Sequence, residues 1–224
     1  MNYDKIIYRI IKLDKSVYLD LISVPASLQR ALAIWVASAT ISLLGILSLF
    51  NATVDYIAEE LPLFTQMLVQ SGASEEDISS FNEAIGFLID LPPGLSPSVT
   101  DIAGQVFFGL VGLAIQVGVI YLILKTLLRR ESRWQDTLVV VGFSTIPLFF
   151  TLLSLFVSSI VVKATIIFFL TLFSLLTLGS GIKQVNDLRN IETVLLVIAF
   201  VAVSYTHLRA HETLRYLVCR LLLE

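Results

Sequence analysis

A chain of 224 residues that is 56% hydrophobic and only 15% charged, with a mean hydropathy of +0.87, does not have the composition of a water-soluble domain. Its apolar residues gather in blocks about as long as the roughly 20 residues a helix needs to cross a bilayer, which describes an all-α, polytopic membrane protein. The formal net charge of −3 says little about partners, because it averages an acidic segment against basic ones.

Residues 1–30 read as a cytoplasmic amphipathic segment. Tyr3, Ile6, Ile7, Ile10, Val17 and Leu21 recur at helical spacing, with Lys5, Arg9, Lys12 and Lys15 among them. Such a helix suits the lipid headgroup region, or equally the inner end of a helical bundle. Its interleaved charges leave no unbroken apolar run for a cleavable signal. Pro25 breaks the chain before a first span at 31–50, where Ala37, Ser38, Ser42 and Gly45 allow close helix contact and Trp35 is expected near the interface.

Residues 51–101 change character sharply. They hold nine acidic residues, Asp55, Glu59, Glu60, Glu75, Glu76, Asp77, Glu83, Asp90 and Asp101, and no Lys or Arg. The spacing predicts an acidic outer loop with two short amphipathic helices lying against the bundle. One covers 54–70. The other is opened by Ser74 with Asp77 as an N-cap pair, carries Ile78, Phe81, Ile85 and Leu88 as its apolar stripe, and is stopped by Pro92, Pro93 and Gly94. The triplet Glu75, Glu76 and Asp77 reads as a solvated face rather than a cation site, because consecutive helical residues point in different directions.

A second span, 102–124, carries Gly104, Gly109, Gly112 and Gly118, with Gln105 and Gln116 as its polar members. Gln116 is read as an interhelical hydrogen-bonding group, with a polar path as the alternative. A basic hairpin with Arg129, Arg130 and Arg133 then leads into a third span at 137–157, which Pro147 should kink. Residues 158–163 make a tight outer turn. A fourth span at 164–181 closes on Gly179, Ser180 and Gly181, an inner loop follows at 183–192, and a fifth span at 193–202 is cut short. The apolar run of the third span meets no further charge until Lys163, and the whole chain is arranged around it.

The tail at 203–224 stands apart. VSYTHLRAHET followed by LVCRLLLE reads as the in-frame translation of a transposase-type sequencing adapter, to be excluded from fold reasoning; the alternative is a natural amphipathic C-terminal helix. The tail holds the single Cys, Cys219, and both His, His207 and His211. Setting it aside leaves no Ser-His or thiolate chemistry and no zinc-peptidase motif, and no span has an ionisable residue in its interior. Nothing in the pattern asks for a cofactor, a metal ion or a nucleic acid.

Eleven basic residues fall in the inner segments and only Lys163 in the outer ones, a strong positive-inside bias. It places the N-terminus in the cytoplasm and 51–101 outside, across what is expected to be a prokaryotic cell membrane.

The segment RRESRWQDTLVVVGFSTIP resembles that of Yip1-domain membrane proteins, in which a basic cytoplasmic loop leads into a helix of the form F/W-x-x-T-L-x-V-x-G-Y/F-x-x-x-P. Trp134, Thr137, Leu138, Val140, Gly142, Phe143 and Pro147 occupy that pattern. LFSLLTLGSGIKQVNDLRNIETVLLV is similar to the family's fourth span and following loop, with Gly181, Leu188 and Thr193 in place. The resemblance implies a five-span domain at 31–202 with a cytoplasmic N-terminus and no catalytic residues. The acidic-Leu-Tyr-Gly-Pro motif of eukaryotic members is absent, so a vesicle-trafficking role is not implied. The expected function is a non-enzymatic scaffold or adaptor for a partner protein or lipid. Arg129, Arg130 and Arg133 are the candidate contacts, with Trp134 as interface anchor; their alternative role is to set topology alone. A permease or channel component, using Gln105, Gln116 and the Pro147 kink, is a second reading. A membrane-shaping protein with 2–22 as a wedge is a third.

Overall fold

The computed structural model describes residues 3–14, 16–89 and 99–203, and every regular element among them is helical. In chain order these are α1 (Tyr3–Ile11), α2 (Ser16–Ile22), α3 (Ser27–Gln70), α4 (Glu75–Ile89), α5 (Val99–Leu122), α6 (Trp134–Ser144), α7 (Ile160–Asn186) and α8 (Asn190–Val203). A π turn, Ile123–Leu127, prolongs α5, and a 3-10 helix, Ile146–Phe156, prolongs α6. Four of these stretches are long and apolar enough to cross a membrane, and α8 is a shorter apolar helix. The adapter-like tail at 204–224 and the expected stop at Pro92, Pro93 and Gly94 lie outside the described residues.

The third span is the centre of the bundle. In its most apolar stretch 61% of the residues are buried inside the protein, against 11% in both α3 and α7. Both α3 and α7 pack along its whole length, while α5 meets its α6 half. The large apolar side chains left outside, such as Phe156, Phe168, Phe169 and Leu176, form a surface suited to hydrocarbon rather than water.

Pro147 explains the break in this central element. A proline has no N–H to return to the carbonyl four residues back, and its ring crowds that carbonyl, so α6 stops at Ser144 and the chain continues as eleven residues of 3-10 helix. In lipid the freed backbone groups need partners from the protein. Ser174 Oγ and Thr177 Oγ1 of α7 both donate to the Ser144 carbonyl, at 3.0 and 2.9 Å. Thr145 Oγ1 donates to the Gly142 carbonyl at 2.7 Å and accepts from Ser38 Oγ of α3 at 2.7 Å. The expected kink is therefore a change of helix type, closed by hydroxyls from both neighbours.

Small residues set the approach distances. Ala31, Ser38 and Gly45, seven apart on α3, are buried and face the central element. A Cβ on Gly142 would lie 2.6 Å from the Ala31 carbonyl oxygen, and one on Gly45 would lie 3.1 Å from Ser154 Oγ. Ala37 and Ser42, expected in the same role, are only half-buried. Trp35 lies on Gly109 of α5, its ring 3.0 Å from where a Cβ would stand.

Several boundaries differ from the sequence reading. The drop in hydropathy at Asn51 does not end the first helix: α3 runs on for 44 residues through Pro62. At about 1.5 Å per residue it is roughly 66 Å long, about twice the hydrocarbon thickness. Its last turns do not form a separate helix against the bundle. They carry α4, which packs back on them, with Thr65 Oγ1 bonded to Asn82 Oδ1 at 3.1 Å. Gly72, at φ 82°, makes the reversal, since the left-handed region suits a residue without Cβ. The Ser74–Asp77 pair forms as expected: Asp77 N–H donates to Ser74 Oγ at 3.2 Å and Ser74 N–H to Asp77 Oδ2 at 3.3 Å.

α7 begins at Ile160, so Lys163 sits in its first turn rather than in a loop. The helix passes straight through Gly179, Ser180 and Gly181 to Asn186. Those glycines do not stop it; they admit neighbours. A Cβ on Gly181 would lie 2.6 Å from Val140 Cγ1 and 3.0 Å from the Tyr18 ring, and one on Gly179 would lie 3.3 Å from Val197 of α8. The expected 183–192 loop shrinks to the few residues between α7 and α8.

Candidate functional site at the basic end of the bundle

The end of the bundle that carries the arginines is built by α1, α2, the α5–α6 connection and the α7–α8 connection. α1 and α2 bury Ile6, Ile10, Val17, Tyr18 and Leu21 in the core, so the first of the two N-terminal readings to be met is packing on the bundle. Their outer faces still show Ile7, Tyr8, Ile11 and Leu19. Arg9 ties the pair together: Nε meets Asp14 Oδ2 at 2.7 Å, Nη1 meets Asp20 Oδ2 at 2.7 Å and Nη2 meets Ser16 Oγ at 2.8 Å. The Arg9 guanidinium, with the Ser16 hydroxyl, holds the Asp14 carboxyl below its ordinary value of 3.8.

Of the four singled-out residues, Arg129, Arg133 and Trp134 are exposed and Arg130 is half-buried. Arg129 stands at φ 50°, where the chain leaves the π turn, and the Arg130 N–H closes that turn on the Leu124 carbonyl at 2.9 Å. Arg130 Nη2 lies 3.5 Å from Glu192 Oε2, so the structure places this arginine in an ion pair across the two connections. Arg133 precedes the first turn of α6 and Trp134 opens it, half-exposed at 50%. Lys125, Lys183 and Arg189 belong to the same end; Lys125 Nζ rests on Tyr121, and Lys183 Nζ bonds Asn190 Oδ1.

Sequence reasoning missed Glu192. Its carboxylate accepts the Arg189 backbone N–H at 2.9 Å and Arg189 Nε and Nη2 at 2.9 and 2.8 Å, while its side chain is only 10% exposed. An acid three residues inside a helix that reaches back to the N-cap N–H is half of a capping box, and the Arg189–Glu192 spacing is the sequence signal for it. One carboxylate thus starts α8 and anchors the hairpin with Arg130. The result is a cationic rim beside an apolar belt, with the exposed Trp134 ring among its arginines. Among the described residues no cluster of three potential metal ligands occurs. Of the glutamines of the second reading, Gln116 is half-buried and the Gln105 side chain lies outside the described ones.

The motif residues resolve into packing roles. Thr137, Leu138, Val140, Gly142, Phe143 and Pro147 are all buried, as are Gly181, Leu188 and Thr193. Gly142 is where α3 touches the central element, Gly181 is where α7 meets Val140 and Tyr18, and Thr193 lies beside Gly179 where α8 meets α7; the Yip1 domain matches residues 17–208. The chain belongs to the Yip1-domain family. No curated protein and no solved structure matches it. As a Yip1-domain protein it is an integral membrane protein in which Trp134 opens the central helix, and its other motif residues are those that let neighbouring helices approach.

Proposed function

We propose that this Yip1-domain protein is a non-enzymatic membrane scaffold whose cytoplasmic, basic end docks a partner protein or anionic lipid through Arg129, Arg133 and Trp134. The observation that carries this reading is the Arg130–Glu192–Arg189 cluster, which ties the connection bearing those three exposed side chains to the start of α8. A tethered connection loses less freedom on binding than a mobile loop. The permease alternative draws less support: the Ser144 carbonyl freed at Pro147, which would have to line a path, is taken up by Ser174 and Thr177.

The test combines cross-linking with flux. A photo-reactive residue in place of Ser132 is expected to capture one cytoplasmic or membrane partner. The combined Arg129→Ala, Arg133→Ala, Trp134→Ala variant is expected to lose that capture while still inserting. Solute movement through reconstituted protein, abolished by Gln116→Leu, would overturn the scaffold in favour of a permease.

A further inference from the structure

Among the described residues Lys163 is the one base at the end of the bundle opposite the arginines, and it is buried, with 7% of its surface exposed. Its ammonium has two hydrogen bonds among the described residues, to Ser48 Oγ at 2.7 Å and to the Ser48 carbonyl at 3.4 Å. Neither partner carries charge. An ammonium has three hydrogens to give, and a cation withdrawn from water without an anion costs several kcal/mol. It opens on a cavity of about 390 Å³ between α3, the end of the 3-10 helix and the first turn of α7.

The cavity wall is ordered by depth. Leu44 and Leu47 line it on the side of α3 nearer the middle of the bundle, and Leu155, at the end of the 3-10 helix, faces them across the cavity. Ser48 with Lys163 comes next, then Asn51, then Asp55. Residues 44, 48, 51 and 55 follow the i, i+4, i+7, i+11 stripe of α3, so cation, amide and carboxylate succeed each other outward over about 10 Å. Asp55 shares the cavity but forms no ion pair with Lys163.

We propose that this groove binds a phospholipid whose headgroup carries a primary ammonium, an ethanolamine phospholipid. Its acyl chain lies on Leu47 and Leu155, its phosphate pairs with Lys163 and the Asn51 amide, and its ammonium meets Asp55. The order of charges selects this chemistry. A phospholipid puts its phosphate nearer the hydrocarbon and its ammonium farther out, and the groove has the cation deep and the carboxylate shallow. An anionic headgroup would leave Asp55 facing negative charge, and a quaternary ammonium could not donate hydrogen bonds to it. This site is at the opposite end of the bundle from the scaffold's rim and does not depend on that reading.

Native mass spectrometry of the full chain released from nanodiscs of equal ethanolamine, choline and glycerol phospholipid tests it. The ethanolamine lipid is expected to be retained preferentially. Asp55→Asn, at an exposed position where folding is not at stake, removes that preference, and Asp55→Lys shifts retention to the glycerol lipid. Lys163→Gln, which keeps a donor for Ser48, lowers retention of every phospholipid about tenfold or more, as loss of one charge-assisted contact implies. Equal retention of all three lipids by the wild type, or ethanolamine preference unchanged in both Asp55 variants, overturns the proposal. Displacement of the lipid by soluble phosphoethanolamine at comparable concentration overturns the lipid as the source of the headgroup.

Discussion

A single hydrogen replaced by a methyl group separates two kinds of glycine in this protein. At Gly142 the added carbon would stand 2.6 Å from a backbone oxygen of α3, which cannot rotate away. Gly142→Ala is therefore expected to push α3 off the central helix and lower stability by about 1–3 kcal/mol, the usual cost of overpacking. Gly118 has nothing within 4 Å of the same position. There alanine should leave stability unchanged or raise it by up to about 1 kcal/mol, from better helix propensity. Thermal unfolding of the two variants in the same detergent separates them; equal loss at both sites would contradict the packing described. Tyr18 makes a complementary case. Its ring fills the space over Gly181, but its hydroxyl is buried with Thr177 close by and no hydrogen bond of good geometry. Tyr18→Phe should thus unfold no earlier than the wild type, since it removes a buried polar atom and keeps the packing.

Between elements, stability at the Pro147 break depends on two donors sharing one acceptor. Either Ser174→Ala or Thr177→Ala leaves the Ser144 carbonyl with one hydroxyl, and each alone should cost little. The double variant leaves it unpaired in an apolar interior, at about 1–3 kcal/mol. A double-mutant cycle measured by unfolding should therefore be non-additive, and simple additivity would show that the two hydroxyls act independently. The α1–α2 clasp has a pH dependence whose sign follows from Asp14. Its folded pKa lies below 3.8, the value it takes when free, so its contribution is complete above that value and is lost as pH falls through the folded one. A spin label at the exposed Tyr8 position is expected to stay restrained from pH 7 down to about 4 and to become mobile in stronger acid. Asp14→Asn should bring part of that mobility to pH 7. How these elements would join was only partly legible. The break at Pro147 and the Ser74–Asp77 cap follow from local chemistry, so the residues announce them. The unbroken length of α3 does not, because hydropathy falls where water begins, not where helical hydrogen bonding ends. The passage of α7 through Gly179 and Gly181 was hidden too, since a glycine that admits a neighbour and one that ends a helix look alike until the neighbour is known.

On the scale of the whole molecule, what could be read in advance was the partition between lipid and water, and what could not was pairing at long range. Glu192 reaches Arg130 across 62 positions and Lys163 reaches Ser48 across 115, and no local pattern marks either contact. These pairings sharpen the charge asymmetry on which orientation depends. Lys5, Arg9, Lys12, Arg30, Lys125, Arg129, Arg130, Arg133, Lys183 and Arg189 belong to the end where α3 begins and α7 finishes. At the other end Lys163 is buried, so the described surface there offers Asp55, Glu59, Glu60, Glu75, Glu76, Asp77 and Glu83 with no exposed base to offset them. Positive charge resists translocation, so the basic end should face the cytoplasm and the α3–α4 hairpin the outside. With Cys219→Ser as background, a cysteine at Ser80, exposed on α4, is expected to react with a membrane-impermeant thiol reagent in intact cells, and one at Ser132, in the basic connection, only after permeabilisation. The opposite pattern would turn the bundle over. It would put the arginine rim out of reach of any cytoplasmic partner and move the Lys163 groove to the inner leaflet, where the same headgroup chemistry would have to be sought.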